Sequence, residues 1–422
     1  MKKNIIKNIS VVILFAFHAL ANAQVIIPIQ PEKVSGVPIA IVPFAGTQGL
    51  PDQIHQIVAN DLRMSGKFDP ISQERFLAFP SREEDVQFKD WRTIGAELLA
   101  IGQSVQVAAD NYQMTFLLYD VASQKRIGGY RYSISSNSFR TVAHKVSDYI
   151  YKKRTGIDGV YTSKIAFIKR EGKQSLLQVA DWDGYGAQTI VTSNEPLLSP
   201  EWSPDGSQIA FVAFEKSRAK IKSVVLATGE VKTLVTSPRG LNSAPAWSPD
   251  GRSLAFSSSR TGNSEIFVMD LQSQASRKLT NHWGIDTNPS WSPDGSSILF
   301  TSGRSGKANI YQVNAYGGAV TRLTYSGKEN GDADMSPNGD SIVVIRDGGT
   351  AVLNRTGELV RTLHDSGFDE SPSFSGNGDM VLFGIKQGYN GKLVVSSVDG
   401  RAKQALDSIS GDVRDSVWSP SN

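Results

Sequence analysis

Four of the five histidines, His55, His144, His282 and His364, are the side chains of this 422-residue chain best placed for acid–base or metal chemistry. They fall in different predicted elements, with none of the short spacings that gather zinc ligands. His55 and His144 sit on predicted helices, where surface or boundary positions are expected. Asp181-Trp-Asp-Gly184 and Asp332-Ala-Asp334 offer paired carboxylates of the kind that bind calcium. Neither continues into the run of oxygen donors that a calcium loop needs, so both are read as turn-forming aspartates. No G-x-S-x-G, H-E-x-x-H or G-x-x-x-x-G-K-[ST] pattern occurs, and Gly303-Arg-Ser-Gly-Lys307 has the wrong spacing for a phosphate loop. The chain has no cysteine, which excludes disulfides, thiolate metal sites and thiol catalysis. These residues point away from an enzyme, and no metal or cofactor is expected.

The elements that carry them are set by a repeat. Trp-Ser-Pro-Asp-Gly begins at Trp202, Trp247 and Trp291, and degenerate copies begin at Met335 and Phe374, with a last Trp-Ser-Pro at Trp418. Successive anchors are 45, 44, 44, 39 and 44 residues apart. A period of ~40–45 residues with four short strands and polar turns is one propeller blade, which cannot bury both faces alone and must stack around an axis. The β-rich segments 164–168, 208–212, 253–257, 297–301, 341–345 and 380–384 align as second strands, giving six blades. The copy at Lys164 lacks a preceding Trp-Ser-Pro, and the Trp-Ser-Pro at Trp418 has no second strand after it. Asp415 to Trp418 is therefore predicted to supply the innermost strand of the first blade, which removes two aggregation-prone edges.

Residues 1–23 read as a signal peptide, with Lys2, Lys3 and Lys7 before an apolar run and Ala21-Asn22-Ala23 as a cleavage site. Those three lysines account for the whole formal net charge of +3, so the mature chain is neutral. That is no electrostatic footprint for nucleic acid, and no later stretch is apolar enough to span a membrane. Residues 24–36 are expected to be extended, since Pro28 and Pro31 suit an edge rather than a central strand. Residues 37–155 read as a compact α+β domain: a buried strand at 39–44, a helix from about 51 to 65, three antiparallel strands, and a helix ended by Gly156. Residues 156–163 are a linker and 164–422 the propeller. The predicted fold class is mainly β with an α+β N-terminal domain, the six-bladed propeller being closed by its C-terminal strand.

With these parts in this order, and with Val37-Pro-Ile-Ala-Ile-Val-Pro-Phe44 and the closing Trp-Ser-Pro, the chain resembles the TolB family of the Tol–Pal cell-envelope system of Gram-negative bacteria. The resemblance implies a non-enzymatic, monomeric periplasmic protein. Its propeller would bind the lipoprotein Pal, and its extreme N-terminal segment the C-terminal domain of TolA. Outer-membrane integrity, constriction at cell division and colicin import are the implied roles. The TolA segment corresponds to Gln24, Val25, Ile26, Ile27, Pro28, Ile29 and Gln30. Two other readings remain open: a propeller gating a peptidase, since the blade motif also occurs in prolyl-oligopeptidase-like enzymes, and a propeller binding peptidoglycan glycans.

The Pal site is expected on the variable loops between blades, on the face opposite the uniform Ser-Pro-Asp-Gly turns. Those loops are 192–199, 236–244, 280–288, 324–333, 363–371 and 407–414. From them Arg239, Asn242, His282, Trp283 and Asp286 are selected, together with Thr287, Glu329, Phe368, Asp369 and Arg414. They supply the mix of aromatic and charged side chains enriched at interface centres. His282-Trp283 is the preferred anchor.

Overall fold

The computed structural model describes residues 36–46, 54–388 and 390–421. The signal peptide and the segment Gln24 to Gln30 lie outside the described residues.

Strand β1 (Val37–Ile41) runs parallel to β2 (Phe68–Pro70) and to β3 (Leu98–Ala108). The hairpin strands β4 (Asn111–Asp120) and β5 (Lys125–Ile134) complete a five-stranded sheet of order β2-β1-β3-β4-β5. Strand alternation divides the apolar residues between the two faces. Ile39, Ile41, Leu98 and Ala100 face helices α1 (Ile54–Met64) and α3 (Phe139–Thr155), whereas Ala40, Val42, Leu99 and Ile101 face a second core around Trp91 of α2 (Phe88–Thr93). On α1 the expected stripe Ile54, Ile57, Val58 and Leu62 is buried, as are Val142, Ala143, Val146 and Ile150 on α3. Gly156 ends α3 at φ 78°, a left-handed cap that donates its N–H to the Lys152 carbonyl at 2.9 Å.

The repeats form six four-stranded sheets among the described residues. In the first of them the C-terminal strand Asp412–Trp418 pairs antiparallel with Lys164–Glu171, Trp418 opposite Ile165 and Val417 opposite Ala166. The ring thus closes inside one blade, as the incomplete ends of the repeat array demand. In each Trp-Ser-Pro-Asp-Gly turn the serine hydroxyl donates to the aspartate, at 2.6 Å for Ser203, Ser248 and Ser292. The same hydroxyl accepts the backbone N–H that opens the next strand, so one side chain fixes both limbs of the turn.

The segment read as a linker is packed. Val160 and Tyr161 are buried in an apolar cluster that runs from the five-stranded sheet into the first and last blades, through Trp182, Met380, Leu393 and Trp418. The N-terminal sheet and helices sit over the turns of those two blades. Lys67 pairs with Asp379 at 3.3 Å, the Tyr151 hydroxyl bonds the same carboxylate, and Asn377 donates to the Asp158 carbonyl at 3.3 Å. The last inter-blade loop also reaches this junction: Ile409 and Val413 belong to the same cluster, and the Ser408 hydroxyl donates to the Asp183 carbonyl at 3.0 Å.

Two expectations need correction. His55 and His144 are buried rather than at the surface: His144 Nδ1 lies 2.8 Å from Asp61 Oδ2, which makes a second bond with the Ser147 hydroxyl at 2.6 Å. Asp332-Ala-Asp334 is no turn. It lies in the inner strand Asn330–Met335 of the fifth blade, with both carboxylates on the central channel.

Candidate functional site

The inner strand of every blade carries one residue with left-handed backbone: Ser199, Ala244, Asn288, Asp332, Ser371 and Asp415, all with φ between 46° and 51°. Each sits at a break in register with the second strand, a bulge that turns the inner strand about the axis. After glycine, Asn and Asp tolerate this conformation best, which explains Asn288, Asp332 and Asp415; Ser199, Ala244 and Ser371 have no such explanation in the structure. The bulges surround a channel cavity of about 310 Å³.

Glu201, Asp332, Asp334, Glu370 and Asp415 line that cavity, all half-buried. Three of them staple neighbouring blades. Asp332 accepts from Asn288 Nδ2 at 2.8 Å and from the Ser371 N–H at 3.0 Å, Asp334 accepts from the Phe374 N–H at 2.9 Å, and Asp415 from the Ser199 N–H at 3.0 Å. Burial raises every one of these acids. It pushes Asp334 up to about 6 and, with the Asp415 charge, Glu370 up to about 7. The channel can hold protons or attract a cation, and its oxygens are engaged in holding the ring together.

A raised carboxyl binds protons in the folded state that the unfolded chain releases. Its contribution is full below the unfolded pKa and is lost as pH rises through the folded one, here between about 4 and 7. Asp334→Asn removes the charge and retains an acceptor for Phe374. It is expected to raise the melting temperature at about pH 8 and to change it little near pH 4.5. Circular dichroism melts at both values check this, and an equal shift at both counts against it.

On the face away from the N-terminal sheet, the ten sequence-selected propeller residues divide by burial. Asn242, Asp286 and Asp369 are buried and cannot present a side chain to a partner. Asn242 accepts from Ser258 Oγ at 2.8 Å and donates to the Ala219 carbonyl. Asp286 occupies the equivalent place one blade on, accepting from Ser302 Oγ at 2.5 Å and pairing with Arg304 at 2.7 Å. Arg260 and Arg304 in turn lie over the rings of Phe256 and Phe300, fastening each loop to its blade. Asp369 accepts from the Thr350 N–H and hydroxyl and from Ser366 Oγ, and contacts His364 Nδ1 at 2.9 Å. Thr287 is half-buried against Ser257 and Asn288, and Arg414 is half-buried on Asp412 at 3.1 Å.

Arg239, Glu329, Trp283 and Phe368 are exposed, with His282 half-buried beside Trp283. Trp283 is 74% exposed, yet its loop is firmly held. Asn263 Nδ2 donates to the carbonyls of His282, Trp283 and Gly284 within 3.0 Å, and buried Glu265 accepts the His282 N–H at 2.9 Å. A Cβ at Gly284 would lie 2.6 Å from the Arg304 nitrogen, so only glycine allows that approach. Sequence reasoning missed Leu241, Ile285 and Tyr325, which are exposed on the same loops at 51%, 59% and 74%. Together with Trp283 and Phe368 they place five large exposed apolar side chains on the inter-blade loops. The bare apolar residues at 241, 285 and 325 were the available signal, within loops chosen for their variability and read for aromatic and charged residues.

The family model for the TolB beta propeller domain matches residues 151–422, and that for the TolB amino-terminal domain matches residues 25–127. A Tol-Pal system protein TolB of Nitrosococcus oceani is 47% identical over 396 residues, spanning 92% of this chain and 91% of its own length. The corresponding protein of Nitrosomonas europaea is 44% identical over 423 residues and 99% of each chain. The crystal structure of TolB from Acinetobacter baumannii superposes with a TM-score of 0.83 at 36% identity, over 91% of this chain and 97% of that one.

Proposed function

Since the chain belongs to the TolB family of Tol-Pal system proteins, we propose that it is a non-enzymatic periplasmic adaptor that joins two protein partners. Pal docks on the inter-blade loops, and the C-terminal domain of TolA takes the segment from Gln24 to Gln30. Through these contacts the protein supports outer-membrane integrity and invagination during division, and colicins exploit the same system for import. The observation that carries this reading is the set of exposed apolar side chains, Leu241, Trp283, Ile285, Tyr325 and Phe368, on a face that the N-terminal sheet leaves uncovered. Calorimetric titration of the soluble part of Pal into the mature protein tests it. Saturable one-to-one binding is expected, and no heat at any accessible concentration overturns it.

The two partners are proposed to use separate surfaces, so any effect of Pal on TolA must run through the N-terminal segment. Linkage then makes the effect reciprocal: the factor that Pal imposes on TolA affinity is the factor that TolA imposes on Pal affinity. Deleting residues 24–34 is expected to abolish TolA binding and to alter Pal affinity. Loss of TolA binding with identical Pal affinity, measured by the same titration, leaves the two sites uncoupled and refutes the linkage.

A further inference from the structure

Buried between α3 and the first blade is a polar cluster that the docking role leaves unused. His144 is 2% exposed, and its Nδ1 lies 2.8 Å from Asp61 Oδ2 on α1. Asp61 also receives the Ser147 hydroxyl, so it acts as an acceptor and the imidazole proton sits on Nδ1. The other ring nitrogen, Nε2, is fully enclosed and has no hydrogen-bond partner. It is aimed at the turn between the third and fourth strands of the first blade. There Asp183 Oδ2 is 4.0 Å away, too far for a direct hydrogen bond. Nε2 and one oxygen from each of Asp181 and Asp183 all lie within 4.8 Å of one another. A nitrogen lone pair facing two carboxylates is repulsive unless positive charge stands between them.

We propose that His144 Nε2, Asp181 and Asp183 form a site for a divalent transition-metal ion of the zinc class, which clamps the N-terminal sheet and helices to the first blade. The donor set suits such an ion: one imidazole and two carboxylates, with a fourth position for water. Ligand atoms at about 2.0–2.2 Å from zinc stand roughly 3.4 Å apart, so the three donors close by about an ångström when it binds. Asp61 takes the place of the outer carboxylate that orients a metal-bound histidine and fixes its tautomer. Arg140 bonds Asp183, and Lys164 bonds Asp181 Oδ1 at 2.5 Å. Asp183 Oδ2, the oxygen facing Nε2, is the one that takes Arg140, and its Oδ1 accepts the Tyr185 N–H at 3.2 Å, so an ion shares Oδ2 with Arg140. Asp181 keeps a second oxygen, and the Lys164 side chain is half exposed and free to leave. The spacing of 37 residues between the histidine and the nearer aspartate hides the cluster in sequence, because the fold alone brings α3 over that turn.

The test uses the mature protein, stripped with a chelator and titrated with zinc chloride alone by calorimetry, with thermal melts in parallel. One ion per chain and a higher melting temperature are expected. Asp181→Asn, on an accessible turn, should weaken binding by more than about tenfold, the loss typical even of residues behind the ligands. His144→Gln should do the same, while Asp334→Asn in the channel should leave zinc binding intact. No binding, or binding unchanged in both Asp181→Asn and His144→Gln, overturns the site and leaves a proton on Nε2 as its positive charge. Loss in Asp334→Asn alone assigns the ion to the channel and overturns it equally.

Discussion

Removing residues 417–422 is expected to lower the melting temperature by roughly 6–20 °C and to make the protein prone to aggregate. Trp418 is 4% exposed, stacks on Trp182 with ring planes 12° apart, and donates its indole N–H to Ser163 Oγ at 2.7 Å. Truncating a buried tryptophan costs about 3–5 kcal/mol, and each kcal/mol is worth about 2–4 °C in a domain of this size. The deletion also removes the pairing of Val417 and Trp418 with Ala166 and Ile165, and the bonds by which Ser419 and Lys164 hold each other. Residues 164–166 then lose their inner neighbour and present an open edge, while Asp412 to Arg414 still face Arg170 to Ile168. Because Trp182 and Trp418 belong to the apolar cluster that continues into the N-terminal sheet, both parts of the chain should loosen together. Trp418→Phe keeps an aromatic ring against Trp182 and the strand pairing, losing the hydrogen bond and part of the buried volume, so it should melt between the two. A truncated protein that melts like the full chain refutes ring closure as a source of stability.

The propeller was legible because its information is repeated: each Trp-Ser-Pro-Asp-Gly copy states the same turn, and the missing pieces at the two ends state how the ring shuts. The α+β part was legible where periodicity is strong, as on α1 and α3. What did not show were polar groups whose partners lie far away in sequence. His144 looked like a boundary residue because Asp61, which buries it comfortably, is on another helix. Asn242, Asp286 and Asp369 looked like loop polars available to a partner, yet each is drawn under its loop by hydroxyls and N–H groups of a neighbouring hairpin. Asp332 and Asp334 resembled a turn because their composition is that of a turn. Their place on an inner strand depends on a left-handed bulge that recurs with the blade period but carries no fixed residue type.

Trp283→Ala is expected to weaken Pal binding by about 30-fold or more without altering the fold. An anchor that contributes about 2 kcal/mol or more accounts for that factor, since each 1.4 kcal/mol is about tenfold. The ring is 74% exposed, so its removal leaves no internal cavity and stability should change by no more than about 0.5 kcal/mol. Its value to a partner comes from the loop beneath it. Asn263 and Glu265 fix the backbone of His282 to Gly284, and the His282 ring lies 5.2 Å from the indole, so little conformational freedom remains to be lost on docking. Glu265→Gln should therefore also weaken binding, through the loop rather than through contact, because it retains the side chain's shape but loosens its ion pair with Lys278 at 3.1 Å. Phe368→Ala, two blades away on the same face, reports how far the partner's footprint extends. If Trp283→Ala folds normally and binds Pal as the unaltered protein does, the tryptophan is no anchor. The docking surface must then be sought around Phe368 and Tyr325.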